Sequence, residues 1–241
     1  GAKRGVEDLA ARLSANDPAL TSLTILPLRK FDDAQASVLA AALASNTVLR
    51  ELRASGHHLS GEGAAALGKA VASSKVERLS VGDKELGDAG VVALCESLCS
   101  SSSLSSLDLE LKGMGPDGCE AVGRLIAAAP SLRTLSLARN ALRDGFRRIA
   151  DHLPADCGLE VLDLSECTVD SEPAAMAVVE VLHRLPKLRE LRLDRNPLPP
   201  SAQGTLLRAA AAGCPALKVL SIAECGLTGV GAAEGVAALL A

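Results

Sequence analysis

Several short stretches of this sequence carry residue types that can do chemistry. "GAAALGKA", residues 63–70, nearly meets the pattern GxxxxGK[ST], in which backbone N–H groups and a lysine cradle phosphates and a final hydroxyl holds magnesium. Ala70 stands where that hydroxyl is needed, and the stretch reads as the inside of an alanine-rich helix, so a nucleotide site is not expected. His57 and His58 could begin a metal site, but no Cys, His or carboxylate group has usable ligand spacing, and adjacent histidines in a turn read as solvated. Cys95 and Cys99 lie four apart on one helical face, where packing beside Leu94 and Leu98 is the simpler use. The cysteines at 95, 99, 119, 157, 167, 214 and 225 form no metal or disulfide framework and read as small buried apolar groups of a reducing compartment. The run "SSSSLSS" (100–106) reads as a turn, and no Ser–His–Asp or Cys–His arrangement stands out. The expectation is a protein with no catalysis, cofactor, metal or small-molecule substrate.

Composition agrees with a folded chain that uses its apolar material thinly. The 241 residues are 48% hydrophobic and 22% charged, with no Trp, no Tyr, and only Phe31 and Phe146 as aromatics. A wide core uses aromatics to fill gaps, whereas a thin one of Leu, Val and Ala does without them. The net charge of -4 gives no reason to expect nucleic acid or acidic lipid as a partner. No apolar run approaches the length needed to cross a bilayer, and no signal peptide is recognisable behind Gly1.

What must position any functional surface is a repeat. Taking the first leucine-type residue of each unit as an anchor, anchors fall at Leu20, Leu49, Val76, Leu104, Leu132, Leu159, Leu188 and Leu217. The anchor+3 column is pure leucine, from Leu23 to Leu220, and anchor+5 reads Ile25, Ala54, Val81, Leu109, Leu137, Leu164, Leu193 and Ile222. Anchor+10 is apolar from Leu59 onward; the first unit breaks step there, with Phe31 one place late. Residues at +3 and +5 alternate on a short strand and point the same way, after which the chain turns and dips back at +8 and +10. The second half of each unit, as in "AQASVLAAALASN" or "GVVALCESLCSS", has helical spacing. Glycine recurs at anchor+14 (Gly63, Gly90, Gly118, Gly231), where close backbone packing is expected, and Glu62, Asp88, Asp117 and Asp144 fall where a helix dipole favours acid. Pro18, Pro130, Pro186 and Pro215 stop the preceding helices. Stacked strand–turn–helix units give an α/β solenoid of about eight repeats, with a parallel sheet on the concave side and helices on the convex side.

These residues resemble the leucine-rich repeat superfamily, and specifically its ribonuclease-inhibitor-like class of roughly 28-residue units. The motif LxxLxLxxNxL appears as "LRTLSLARNAL" and "LRELRLDRNPL", with cysteine at the Asn position in "LEVLDLSECTV" and "LKVLSIAECGL". The resemblance spans essentially the whole chain. The N-terminal half departs at that column, with Leu28, His57, Lys84 and Lys112, so looser turns are expected there. The expected organisation is one array over 1–241, with 1–18 the helical half of a truncated first unit, and the chain a piece of a longer protein.

The candidate functional surface is the set of strand residues pointing away from the core, at anchor+2, +4, +6 and +7. Its charged members are Glu51, Arg53, Arg78, Asp108, Glu110, Arg139, Asp163, Glu190, Arg192, Asp194 and Arg195. Adjacent strands set opposite charges side by side, as in Asp163 beside Arg192 and the ladder Arg139–Glu166–Arg195–Glu224, so much of this charge is expected to neutralise itself. Without Trp or Tyr, arginine is the only favoured anchor type for a partner. The expected role is a non-catalytic scaffold that binds other proteins as a subunit of a hetero-oligomeric cytoplasmic or cytoskeletal assembly; similar repeats occur in ciliary axonemal subunits. The resemblance offers two alternatives, the sensor array of a nucleotide-binding leucine-rich-repeat receptor and a Ran-type GTPase-activating regulator, for which Arg29 is the one candidate assisting residue.

Overall fold

The computed structural model describes residues 5–240, except the side chain of Asp144. Each unit begins with a strand only three to five residues long, because only the outward–Leu–outward core of the motif can extend before the chain must turn back. The chain runs α1 (Val6–Ser14), β1 (Ser22–Thr24), α2 (Asp33–Leu43), β2 (Glu51–Ser55), α3 (Gly61–Ala72), β3 (Arg78–Gly82), α4 (Gly87–Leu98), β4 (Ser106–Asp108) and α5 (Pro116–Ala128). It continues through β5 (Thr134–Ser136), α6 (Phe146–Ala150), β6 (Val161–Asp163), α7 (Glu172–Leu182), β7 (Glu190–Arg192), α8 (Pro200–Gly213), β8 (Val219–Ser221) and α9 (Gly229–Leu240). The strands form one parallel sheet in sequence order, β1 to β8.

The leucine column of the sequence becomes a row in space. Leu23, Leu52, Leu79, Leu107, Leu135, Leu162, Leu191 and Leu220 pair directly from strand to strand. All but Leu220 are buried in a single continuous core, and each contributes about 1.5–3 kcal/mol through the area it removes from water. Phe31 is buried one place late in the first unit, as its sequence position predicts, and Leu59 to Leu198 fill the anchor+10 row. Each helix packs on the next along the chain. Where glycines stand in helix interiors they permit this approach: a Cβ on Gly68 would sit 2.7 Å from Ser97 Cβ, and one on Gly204 would sit 2.5 Å from the Gly231 carbonyl oxygen. The two glycines at either end of the phosphate-loop-like stretch face neighbouring helices in this way, Gly63 against Asp33 and Gly68 against α4.

The structure departs from the sequence reading at four places. The expectation of looser N-terminal turns is wrong at three of its four positions. His57 is buried and its Nε2 lies 3.0 Å from the Ile25 carbonyl oxygen, while buried Lys112 donates from Nζ to Gly82 O at 3.0 Å. Between the second and third units the strands simply lengthen, pairing through Ser55 and Gly82, and Lys84 is left exposed. At Leu28 the column is unfilled without such lengthening, its side chain fully in solvent. Second, His57 is therefore not solvated; its ring meets Phe31 edge-on at 5.4 Å, and only His58 is exposed. Third, the helical half of the fifth unit is broken into a 3-10 turn (Arg143–Gly145) and the five-residue α6, with fully buried Phe146 filling the space. Asp144 lies in that turn and its side chain is outside the described residues. Fourth, Asp88 does more than complement its own helix: its Oδ1 accepts from Gly115 N at 2.7 Å and Gly118 N at 2.8 Å, capping the next helix, α5.

Candidate protein-docking face

The residues after each strand decide how the outward surface is built. At anchor+8, buried Asn140 donates from Nδ2 to Leu109 O and Leu137 O, both at 2.8 Å, and accepts from Lys112 N at 2.9 Å. Asn196 repeats this with Leu164 O, Leu193 O and Cys167 N, and the thiols of Cys167 and Cys225 reach Leu137 O at 3.2 Å and Leu193 O at 3.0 Å. The residue before each of these is held left-handed: Leu111, Arg139, Glu166, Arg195 and Glu224 have φ between 52° and 59°. That conformation costs a non-glycine residue about 1–2 kcal/mol, and here it lifts the +7 side chains into one row at the edge of the concave face.

All the expected charged residues lie on this face, in two groups. At the N-terminal end, Glu51 is largely buried; its Oε2 accepts from Ser22 Oγ at 2.9 Å, and its Oε1 meets Arg53 Nε at 2.7 Å and Arg78 Nε at 3.4 Å. Burial alone would raise the Glu51 pKa, but the hydrogen bonds from Ser22, Arg78 and Arg53 outweigh it and hold the carboxyl below its ordinary value. Beside it the hydroxyls of Ser55 and Ser80 bond one another, and Ser80 donates to Asp108 at 2.8 Å. These residues line an open depression of about 440 Å³.

The second group is the predicted ladder. Arg139 lies 3.4 Å from Glu110 and 4.0 Å from Glu166, and Arg195 lies 3.3 Å from both Glu166 and Glu224. Arg192 is bound at Nε by Glu190 at 2.7 Å and lies 3.7 Å from Asp163; the Glu190 bond is the main cause that raises its pKa. Asp194 accepts from Ser221 Oγ and Ala223 N, each at 2.7 Å. Neutralisation is incomplete. With Asp83, which belongs to the same +7 column and was missing from the expected set, nine carboxylates share the face with five arginines. The excess acid lies from Asp108 onward, while Glu51 alone serves two arginines in the second and third units.

The other candidates sit elsewhere. Residues 63–70 lie wholly within helix α3. Cys95 is fully buried, and burial drives its thiol pKa up; Cys99 is half-buried and bonds Cys95 O. Among the described residues no group of three His, Cys, Asp or Glu side chains could hold a metal ion, and no helix is long and apolar enough to cross a membrane. Arg29 follows β1 and lines a depression with Leu26, Leu28 and Lys30 at the N-terminal end of the array.

Residues 45–68 match the family model described as Leucine Rich repeat. The chain is 32% identical over 177 residues to the ribonuclease inhibitor of Sus scrofa, covering 72% of this chain and 39% of that protein. It therefore spans about two fifths of the length of that relative. It is also 33% identical over 129 residues to the NACHT, LRR and PYD domains-containing protein 3 of Homo sapiens, covering 52% of this chain and 12% of that one. Among solved structures, the leucine-rich repeat-containing protein LegL7 from Legionella pneumophila superposes with a TM-score of 0.56 at 15% identity, over 98% of this chain and 77% of that one, which establishes a shared fold.

Proposed function

Since the chain is a leucine-rich-repeat protein of the ribonuclease-inhibitor-like class, we propose that it is a non-catalytic scaffold whose concave face binds another protein. The observation that carries this reading is the uninterrupted eight-stranded face, on which the charged side chains from Glu51 to Glu224 are held in rows by ordered turns. A long open face with arginines and carboxylates but no enclosed cavity suits many modest contacts over a large area rather than capture of a small molecule. The buried free thiols agree with a reducing, cytoplasmic setting, and a cytoskeletal or ciliary assembly is the specific case we favour. A second reading, the sensor array of a larger receptor, is supported by the similarity to the NACHT, LRR and PYD domains-containing protein 3.

Affinity purification from the native source with the wild-type chain and an Arg53→Glu/Arg192→Glu variant tests the scaffold reading. One partner set recovered by the wild type and lost by the variant is expected. Recovery of a lone monomer, or of the same partners by both proteins, counts against concave-face binding. Co-purification of a nucleotide-hydrolysing region on the same polypeptide would favour the receptor reading.

A further inference from the structure

The column at anchor+1 lies outside the concave face, on the rim where each strand begins. Its backbone is a continuous ladder over the last units: Glu160 N donates to Arg133 O, Arg189 N to Glu160 O and Lys218 N to Arg189 O, at 2.7 to 2.8 Å. Consecutive members are thus one strand apart, about 4.8 Å, and the row from Arg133 to Lys218 covers roughly 14 Å. Glu160 is the single acid in this row. It lies 3.7 Å from Arg133 Nε and 3.7 Å from Arg189 Nη1, so one carboxylate is divided between two guanidinium groups. Lys218 and Lys187, which sits two residues before Arg189, are exposed and form no ion pair among the described residues. Lys187 lines two neighbouring depressions, one of about 280 Å³ with Arg133, Asp156, Pro130 and Pro154, the other of about 470 Å³ with Glu160, Arg189, Lys218 and the apolar Pro186 and Pro215, so that four cations face two carboxylates.

We infer that this rim is a second docking site, which takes a short acidic segment of a partner protein. The surplus of cations calls for carboxylates on the ligand. The prolines give it apolar ground between the charges, and a row of roughly 14 Å matches about four residues of extended chain. A broad polyanion fits poorly, because the adjoining concave face carries an excess of carboxylates from Asp108 to Glu224 and would repel a membrane surface or a nucleic acid duplex laid across it. The site is independent of concave-face binding.

The test is fluorescence anisotropy with a labelled octapeptide of alternating glutamate and leucine, at low and high salt. Saturable binding that weakens with salt is expected, with none to the lysine counterpart of the peptide. Lys187→Glu/Lys218→Glu should weaken it by at least about tenfold (~1.4 kcal/mol), whereas Lys69→Glu/Lys84→Glu, an equal change of net charge at exposed positions away from the rim, should change it less than about twofold. Circular dichroism of both variants verifies the fold. The inference fails if no saturable binding occurs, or if both variants weaken binding equally. It also fails if phosphatidylserine vesicles or duplex DNA bind as tightly as the peptide and are lost in the same variant.

Discussion

Replacing Asn140 with alanine should be among the most damaging single changes to this molecule, although it removes one small polar side chain. Its amide bonds five backbone groups, and alanine strands three of them, since Ala138 O keeps its bond from Leu111 N. Lys112 N and Met114 N lose their acceptor, and Leu109 O loses its donor, while Leu137 O keeps the thiol of Cys167. A buried backbone group left unpaired costs about 1–3 kcal/mol, and neighbouring groups relax together, so a loss of about 3–5 kcal/mol follows. Cys167→Ala removes only one weak donor to a carbonyl that Asn140 also serves, and should cost about 1 kcal/mol or less beyond the methylene-sized void. With no Trp or Tyr as a fluorescent reporter, urea unfolding followed by far-ultraviolet circular dichroism is the suitable assay. Hydrogen exchange should localise the damage at the amides of Lys112 and Met114. Equal losses in the two variants, or unchanged exchange at those two amides, would refute the view that the asparagine ladder holds the turns.

Three further outcomes are expected. Leu111→Gly should stabilise the fold by about 0.5 kcal/mol, because Leu111 is exposed and left-handed at φ 52° and glycine relieves that strain by more than its added unfolded-state entropy; a lowered urea midpoint would contradict this. Gly204→Ala should lower the thermal midpoint, with a cost of about 1–3 kcal/mol, because the new methyl meets the Gly231 carbonyl at 2.5 Å; an unchanged midpoint would mean that α8 and α9 separate freely. Burial pushes the thiol of Cys167 up to about 12 and that of Cys214 up to about 11, against an ordinary 9.0, so between pH 9 and 11 the unfolded chain releases protons that the native one keeps. Stability should therefore fall as pH rises through that window, by up to about 1.4 kcal/mol per pH unit per thiol, and the fall should shrink in Cys167→Ala/Cys214→Ala.

The leucine column was legible because a parallel in-register stack converts a sequence period directly into a spatial row, and the Asn and Cys positions carried their bonding role with them. His57 and Lys112 were not legible. Their roles depend on reach, since an imidazole or a lysine ammonium can each contact a carbonyl of the preceding unit, and no residue alphabet for that column lists them. The left-handed residues at Arg139, Glu166 and Arg195 were invisible for a related reason: the turn forces that conformation on any residue there, so nothing in their chemistry announces it. Asp88 was recognised as a first-turn acid, but its bonds to the following helix require knowing how far apart α4 and α5 begin. The outward charges were placed by register alone. The basic rim was not legible because anchor+1 has the same parity along the strand as the inward leucines, and only the structure shows that it lies at the exposed start of the strand.

The last coil is held less tightly than the one before it. Leu188, Leu191 and Leu193 are fully buried, whereas their counterparts Leu217, Leu220 and Ile222 are only half covered. Opening β8 and α9 thus sacrifices less apolar contact than opening any interior unit, and each opening would bare the next. Within residues 5–240, the amides of β8 and α9 should therefore exchange before those of the interior coils, with Glu224 leaving its place beside Arg195 first.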